Sequence, residues 1–164
     1  MSSGDNIAAL GAADIVRILN LAPHPEGGFY RETFRDGAQT PEGRAASTLI
    51  YFLLPFGAVS AWHRVDAVEV WHFYAGAPLV VSLCREDGTR RDHILGPDLL
   101  AGEQPQCVVP TGVWQMATHR APDEAHSAQT PWSLVGCTVA PGFSFSGFEL
   151  APAGWQPSGN YTAS

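Results

Sequence analysis

His63 and Glu69 stand six residues apart, flanked by Gly57 and Gly76, in the spacing G-x5-H…E-x6-G. An imidazole and a carboxylate brought together can do two kinds of chemistry. They can move a proton, with His63 as base and Glu69 orienting it, or they can ligate a divalent metal such as Zn, Fe, Mn or Ni. Gln115 joins the set, because its amide can hold a ligand oxygen or, weakly, a metal. Val65, two residues after His63, offers no donor. Two strong ligands and one amide fall short of the three or four protein ligands of a catalytic zinc or iron site. His63, Glu69 and Gln115 therefore remain a candidate metal set, but the residues favour a buried hydrogen-bond network around an organic ligand.

Strands must position these groups. Side chains alternate across a strand, so Glu69, Trp71 and Phe73 share one face, and Val70, His72 and Tyr74 share the other. A carboxylate entering an apolar barrel needs a partner, and a neighbouring strand can bring His63 beside Glu69. Trp71, Phe73 and Trp114 would then wall a pocket. His72 falls on the opposite face, while His93, His119 and His126 fall on a hairpin strand, a strand end and a loop, all expected in solvent.

The elements follow from hydrophobic pattern. Ile15, Ile18 and Leu19 at near-helical spacing predict one short helix over about 12–21, started near Gly11 and Asp14 and ended by Pro23 and Pro25. The remainder predicts strands over 28–35, 48–55, 59–64, 68–74, 79–84, 91–95, 107–109, 113–118, 132–139 and 145–150, with Asp87-Gly88 as a hairpin turn. Residues 120–131 read as a surface loop, and the tail after Pro152 as flexible.

Composition agrees with one all-β domain spanning 1–164. Hydrophobic residues make up 45% and charged residues only 15%, while 17 Gly and 13 Pro supply turns. Nine basic against sixteen acidic residues, without a basic cluster, argue against nucleic acid. Cys84, Cys107 and Cys137 are odd in number and lie in apolar runs, which suits buried reduced thiols in the cytoplasm. No run approaches the length of a membrane span, and MSSGDNIAALG lacks a basic start and apolar stretch, so no secretory leader is expected.

A second constellation is His24-Pro25-Glu26-Gly27-Gly28-Phe29-Tyr30-Arg31-Glu32-Thr33-Phe34. Adjacent glycines let the backbone bend sharply or let a ligand approach closely, and Arg31 can fork onto a phosphate or carboxylate. Alone, the stretch reads as a strand opening after a turn.

These motifs resemble a known family. Gly57, His63, Glu69 and Gly76 are similar to the first signature of the cupin superfamily, whose second histidine is here Val65. Pro110-Thr111-Gly112-Val113-Trp114-Gln115 is similar to the second signature, with Gln115 at the histidine position and His119 at the asparagine position. HPEGGFYRETFR, STLIYFLL, WHRVDAVEVWHFYAG, VVPTGVWQ and LVGCTVAPGFSFSGFEL together resemble the cupin-5 family over about 19–150. That resemblance implies a jelly-roll β-barrel (double-stranded β-helix), commonly a homodimer. It also implies a charged and aromatic small-molecule pocket using His24, Glu26, Gly28, Tyr30, Arg31, Trp71, Phe73, Trp114 and Gln115. A weaker likeness of Gly27–Phe34 to the opening motif of the sugar-nucleotide 3,5-epimerases points to an isomerase or epimerase acting on a sugar or nucleotide derivative, with His63 and Glu69 catalytic. Gly27 stands where those enzymes place a phosphate-binding arginine. The alternatives are a metal-dependent isomerase or dioxygenase and a non-catalytic sensor or carrier.

Overall fold

A computed structural model describes residues 7–120 and 132–158. One helix, α1 (Ala12–Leu19), precedes eleven strands: β1 (Ala22–Pro23), β2 (Phe29–Arg35), β3 (Thr48–Pro55), β4 (Ser60–Val65), β5 (Val68–Gly76), β6 (Leu79–Cys84), β7 (Arg90–Leu95), β8 (Gln106–Val109), β9 (Trp114–His119), β10 (Trp132–Ala140) and β11 (Phe148–Leu150). All the strand pairings are antiparallel, in two sheets of order β1-β2-β3-β10-β5-β8 and β11-β4-β9-β6-β7. Packed face to face, they form an all-β jelly roll.

The core lies between the sheets. Phe52, Leu54, Trp71 and Val135 of the larger sheet meet Val81, Leu83 and Ala117 of the smaller one. β3 is apolar on both faces for a reason visible in its neighbours. Phe52 and Leu54 point inward, whereas Leu53 points outward and is covered, with Trp132 and Leu134, by Ile15 of α1. Trp132 Nε1 ties that layer by donating to the Leu10 carbonyl at 2.7 Å.

Gly11 caps α1, its N–H reaching Asp14 Oδ2 at 3.2 Å. The helix ends at Asn20 in the left-handed conformation (φ 52°), before either proline. That earlier stop leaves Ala22–Pro23 free to pair as β1 with Phe29 and Tyr30 on the sheet edge, where a missing proline N–H costs nothing. Of the strand expected over 145–150, only Phe148–Leu150 is extended; Phe145–Gly147 is a 3-10 turn capped by Ser144. The tail is packed at least to Trp155, whose ring lies 4.6 Å from Trp114. Most of the loop expected over 120–131, with His126, and residues 159–164 lie outside the described residues. Among the described residues no helix is long and apolar enough to cross a membrane.

Candidate functional site

The turn between β1 and β2 builds the site. His24, Pro25, Glu26, Gly27 and Gly28 close it through His24 N–H to Gly28 O at 3.0 Å and Gly27 N–H to His24 O at 3.0 Å. Gly27 (φ 105°) and Gly28 (φ 72°) have backbones that L side chains rarely adopt. A Cβ on Gly27 would strike the Val59 carbonyl, so the turn lies flush against the chain entering β4. Ala61 N–H then bonds Glu26 O at 2.8 Å. The result is to place the Glu26 side chain against His63.

Glu26 Oε2 lies 3.1 Å from His63 Nε2 and 3.5 Å from His24 Nδ1. His63 Nδ1 sits 2.7 Å from the Ala61 carbonyl, an acceptor, so Nδ1 carries the proton and Nε2 of the neutral ring is a lone pair. His24 Nδ1 accepts the Glu26 N–H at 3.2 Å and is a lone pair too. A carboxylate oxygen facing two imidazole lone pairs is repelled by both, and one proton held between Glu26 and His63 removes the conflict. Burial pushes Glu26 up to about 8, with Ser60 Oγ–H donating to Oε1 at 2.9 Å in opposition. Burial also holds His63 below its ordinary value and lowers His24 to about 4, the latter helped by the neighbouring His63. The neutral pair, Glu26 protonated and His63 free, follows.

Glu69 has a different surrounding. Gln115 Nε2 donates to its Oε2 at 2.6 Å, and Gln115 Oε1 accepts from Trp71 Nε1 at 2.8 Å. The Cys137 thiol adds a further hydrogen bond. Burial raises Glu69 as well and the neighbouring Glu26 adds to the rise, while His63, Gln115 and Cys137 pull it back toward the charged form. The cysteine takes the opposite consequence, burial and Glu69 driving its thiol well up. All three cysteines are free and buried.

Above these groups opens a cavity of about 620 Å³ at one end of the barrel. Its walls are Tyr30 and Ile50 from the larger sheet, Val65 and Phe148 from the smaller, and Phe143 and Phe145 from the segment joining β10 to β11. Arg31 and Arg35 stand at the rim. Arg31 lies over the Tyr51 ring, 5.8 Å from its centroid. Arg35 forks onto Glu32 and reaches the Phe143 carbonyl at 3.1 Å.

Of the residues expected from sequence, His24, Glu26, Tyr30, Arg31, His63 and Glu69 line this cavity together. Five do not. Gln115 is wholly buried behind Glu69, and Trp71 is 1% exposed behind Gln115. Phe73 packs against the core beyond. Gly28 presses on Leu53 and Phe52. Trp114 falls on the outer face, because Gln115 and Ala117 of β9 point inward; Arg64 covers its ring at 4.8 Å. The hydrogen-bond partner of His63 Nε2 is Glu26, where Glu69 was expected, since the Gly27–Gly28 turn brings Glu26 in closer. His119, expected in solvent, is half-buried and bonded to Ser133 Oγ at 3.0 Å.

The expected metal set does not fit a metal. The Gln115 oxygen is taken by Trp71 Nε1 and its nitrogen by Glu69, while His63 Nε2 faces Glu26. No group of three or more His, Cys, Asp or Glu converges on a metal position among the described residues. The residues missed were Ser60, Cys137, Arg35, Phe143, Phe145 and Phe148. The F-S-F-S-G-F run after Gly142 was the available signal, a cluster of aromatics too regular for a plain loop.

Comparison with known proteins agrees with the fold. Residues 13–151 match the Cupin_5 family, described as Cupin superfamily (DUF985). The uncharacterized protein YML079W of Saccharomyces cerevisiae is 30% identical over 146 residues, 80% of this chain and 70% of that protein. The crystal structure of protein SO0799 from Shewanella oneidensis superposes with a TM-score of 0.77 at 40% identity, covering 87% of this chain and 85% of that one. A hypothetical protein from Leishmania major gives 0.76 at 34%, covering 85% and 86%. Oxalate decarboxylase from Bacillus subtilis shares the fold alone, at 16% identity and a TM-score of 0.54, with 78% of this chain covering 29% of that enzyme. The chain belongs to the Cupin_5 family of the cupin superfamily.

Proposed function

We propose that this cupin binds a sugar or nucleotide derivative in the barrel pocket and isomerises it by proton transfer. One observation carries the reading: two carboxyl groups line one pocket in opposite hydrogen-bond settings. Glu26 faces imidazole lone pairs and holds a proton; Glu69 receives donors from Gln115 and Cys137 and is the better carboxylate. Burial raises both carboxyls, but His63, Gln115 and Cys137 oppose the rise at Glu69 whereas Ser60 alone opposes it at Glu26, and a difference of this kind can divide the work of base and acid.

In the proposed reaction the Glu69 carboxylate takes a proton from a substrate carbon. The electrons of that C–H bond move into the neighbouring unsaturated group. Glu26 then gives its proton back to carbon on the other face or at the adjacent position, and solvent restores both carboxyls after product leaves. His63 keeps the Glu26 proton in place through Nε2. The aromatic wall excludes water and stacks on a planar or ring ligand. We extend the proposal to a homodimer, consistent with Val68, Tyr74 and Val108 left exposed on the outer sheet face; light scattering reads it directly.

The test is incorporation of solvent deuterium, followed by NMR, into a panel of nucleoside-diphosphate keto sugars and free keto sugars. Exchange by the wild-type protein that falls at least ~100-fold in both Glu69→Gln and Glu26→Gln supports the reading. Exchange that survives either variant overturns it. Tight binding with no exchange makes the protein a carrier or sensor.

A further inference from the structure

His24 does more than close the β1–β2 turn. Its Nδ1 accepts the Glu26 backbone N–H at 3.2 Å, so the ring proton sits on Nε2. Tyr30 packs edge-on at 4.6 Å between centroids, Phe148 at 5.9 Å and Phe52 at 6.0 Å, which fixes the ring plane. The side chain is buried yet lines the cavity, and among the described residues nothing accepts from Nε2. An oriented N–H that opens to the cavity and is not taken up by the protein is free to donate to a bound ligand.

Resting on the proton-transfer reading, we infer that His24 is a further catalytic residue, whose Nε2–H donates to the substrate oxygen that gains negative charge. The substrate is then a carbonyl compound with a hydrogen on the neighbouring carbon. When Glu69 takes that hydrogen as a proton, the C–H electrons form the C=C bond of an enolate and the carbonyl pair moves onto oxygen, where Nε2–H meets it. The collapse runs in reverse as Glu26 protonates carbon, so no oxidant or reductant is needed.

The chemistry of the ring suits this role. Burial keeps His24 neutral down to about pH 4, so it brings a donor to the pocket without a charge. A neutral donor already aimed at the reacting oxygen needs no reorganisation as charge develops, and removal of one such donor from an enzyme typically costs ~100–1,000-fold in kcat. The turn itself needs only the Nδ1 lone pair. Asparagine can supply that, since its side-chain oxygen readily accepts the N–H two residues on, but it is too short to reach where Nε2 reaches. His24→Asn thus keeps the turn and removes the donor.

The probe is 4-nitrophenol, whose phenolate absorbs in the visible and presents an enolate-like oxygen to an aromatic-walled pocket. Titrated into wild-type protein, it binds as the phenolate with a shifted absorbance. In His24→Asn the affinity falls about 10-fold or more, the worth of one hydrogen bond to a charged group, while the fold and the raised Glu26 titration persist. Nitrogen-15 NMR of the wild-type imidazole shows the Nε2–H tautomer and a perturbation of Nε2 on binding. A wild-type protein that takes up only neutral nitrophenol, or none, overturns the inference, as does His24→Asn binding the phenolate equally well. If phenolate binding depends on His24 but no keto sugar exchanges deuterium, the donor role stands and the proton-transfer reading falls.

Discussion

Glu26 Oε2 and His63 Nε2 meet at 3.1 Å inside a barrel that leaves them 8% and 2% exposed. Because His63 Nδ1 already gives its proton to Ala61 O, the contact is attractive only with one further proton in it. That requirement makes stability depend on pH. Folding raises Glu26 from 4.5 to about 8, so the native state holds a proton that the unfolded state releases between those values. Its contribution is full below pH 4.5 and lost as pH rises through 8. His24, lowered from 6.5 to about 4, contributes the other flank: full above 6.5, lost as pH falls through 4. Urea unfolding of wild-type protein between about pH 5 and pH 9 loses several kcal/mol on the alkaline side, for a carboxyl displaced this far. Glu69 shifts the same way and keeps a share, so Glu26→Gln loses most of that slope while retaining the acid flank. An unchanged alkaline slope in Glu26→Gln would place the proton elsewhere.

The relay from Trp71 to Glu69 through Gln115 gives a second prediction. Gln115 is fully buried, accepts at 2.8 Å and donates at 2.6 Å. Gln115→Met preserves volume but strands an indole N–H and removes a donor from a buried carboxylate. Each orphaned group costs roughly 1–3 kcal/mol, so the variant loses about 2–5 kcal/mol in chemical denaturation. Glu69 also moves further toward its protonated form, steepening the alkaline loss. A neutral substitution would mean that both groups find other partners.

The fold was legible because β3, β5 and β10 carry long apolar runs broken by turn residues, and because the cupin-like spacing around His63 and Glu69 spans the turn between two strands. Alternation gave the inward face of Glu69, shared with Trp71 and Phe73, correctly, whereas Gln115 came from the cupin-like motif alone. Alternation could not give pocket membership, because inward-facing residues fill two layers: Glu69 and His63 reach the open end, while Trp71 and Phe73 fall in the closed core. The Glu26–His63 contact joins residues 37 positions apart through two left-handed glycines, a long-range geometry that local pattern does not encode. Phe143 and Phe145 were hidden because they reach the cavity from an irregular segment with no period to read, and Phe148 because it opens a strand of only three residues.

Gly28 supplies the third prediction. A Cβ there would lie 2.7 Å from Leu53 O and 2.9 Å from the Phe52 ring, on a backbone with φ 72°. Neither the sheet carbonyl nor the core ring can yield cheaply. Gly28→Ala therefore costs at least ~2 kcal/mol in chemical denaturation, through strain and overpacking together. The strain falls on the turn that delivers Glu26, so the alkaline slope weakens in the surviving native protein. Stability within ~0.5 kcal/mol of wild type would show that the turn accepts a side chain by moving.

Arg44 tests how the aromatic wall is held. Its Nε donates to Gly142 O and its Nη2 to Asp66 Oδ1 at 2.7 Å. The same segment is tied by Gly142 N–H to Ala45 O at 2.7 Å and by Phe143 N–H to Thr48 Oγ1 at 2.8 Å. Asp66 is half exposed, so the ion pair is screened and contributes little; the bond to the buried-side carbonyl is the stronger term. Arg44→Ala accordingly loses only about 1–2 kcal/mol globally, but its effect is local. Amide hydrogen exchange at Gly142, Phe143 and Ser144 quickens, while the β3 and β10 amides facing the core keep their protection. With Phe143 and Phe145 less fixed, 4-nitrophenol affinity drops several-fold at unchanged Glu26 titration, separating a wall that shapes the pocket from the groups that move protons. Unaltered exchange in this segment would assign the hold to Arg35 and Thr48 instead.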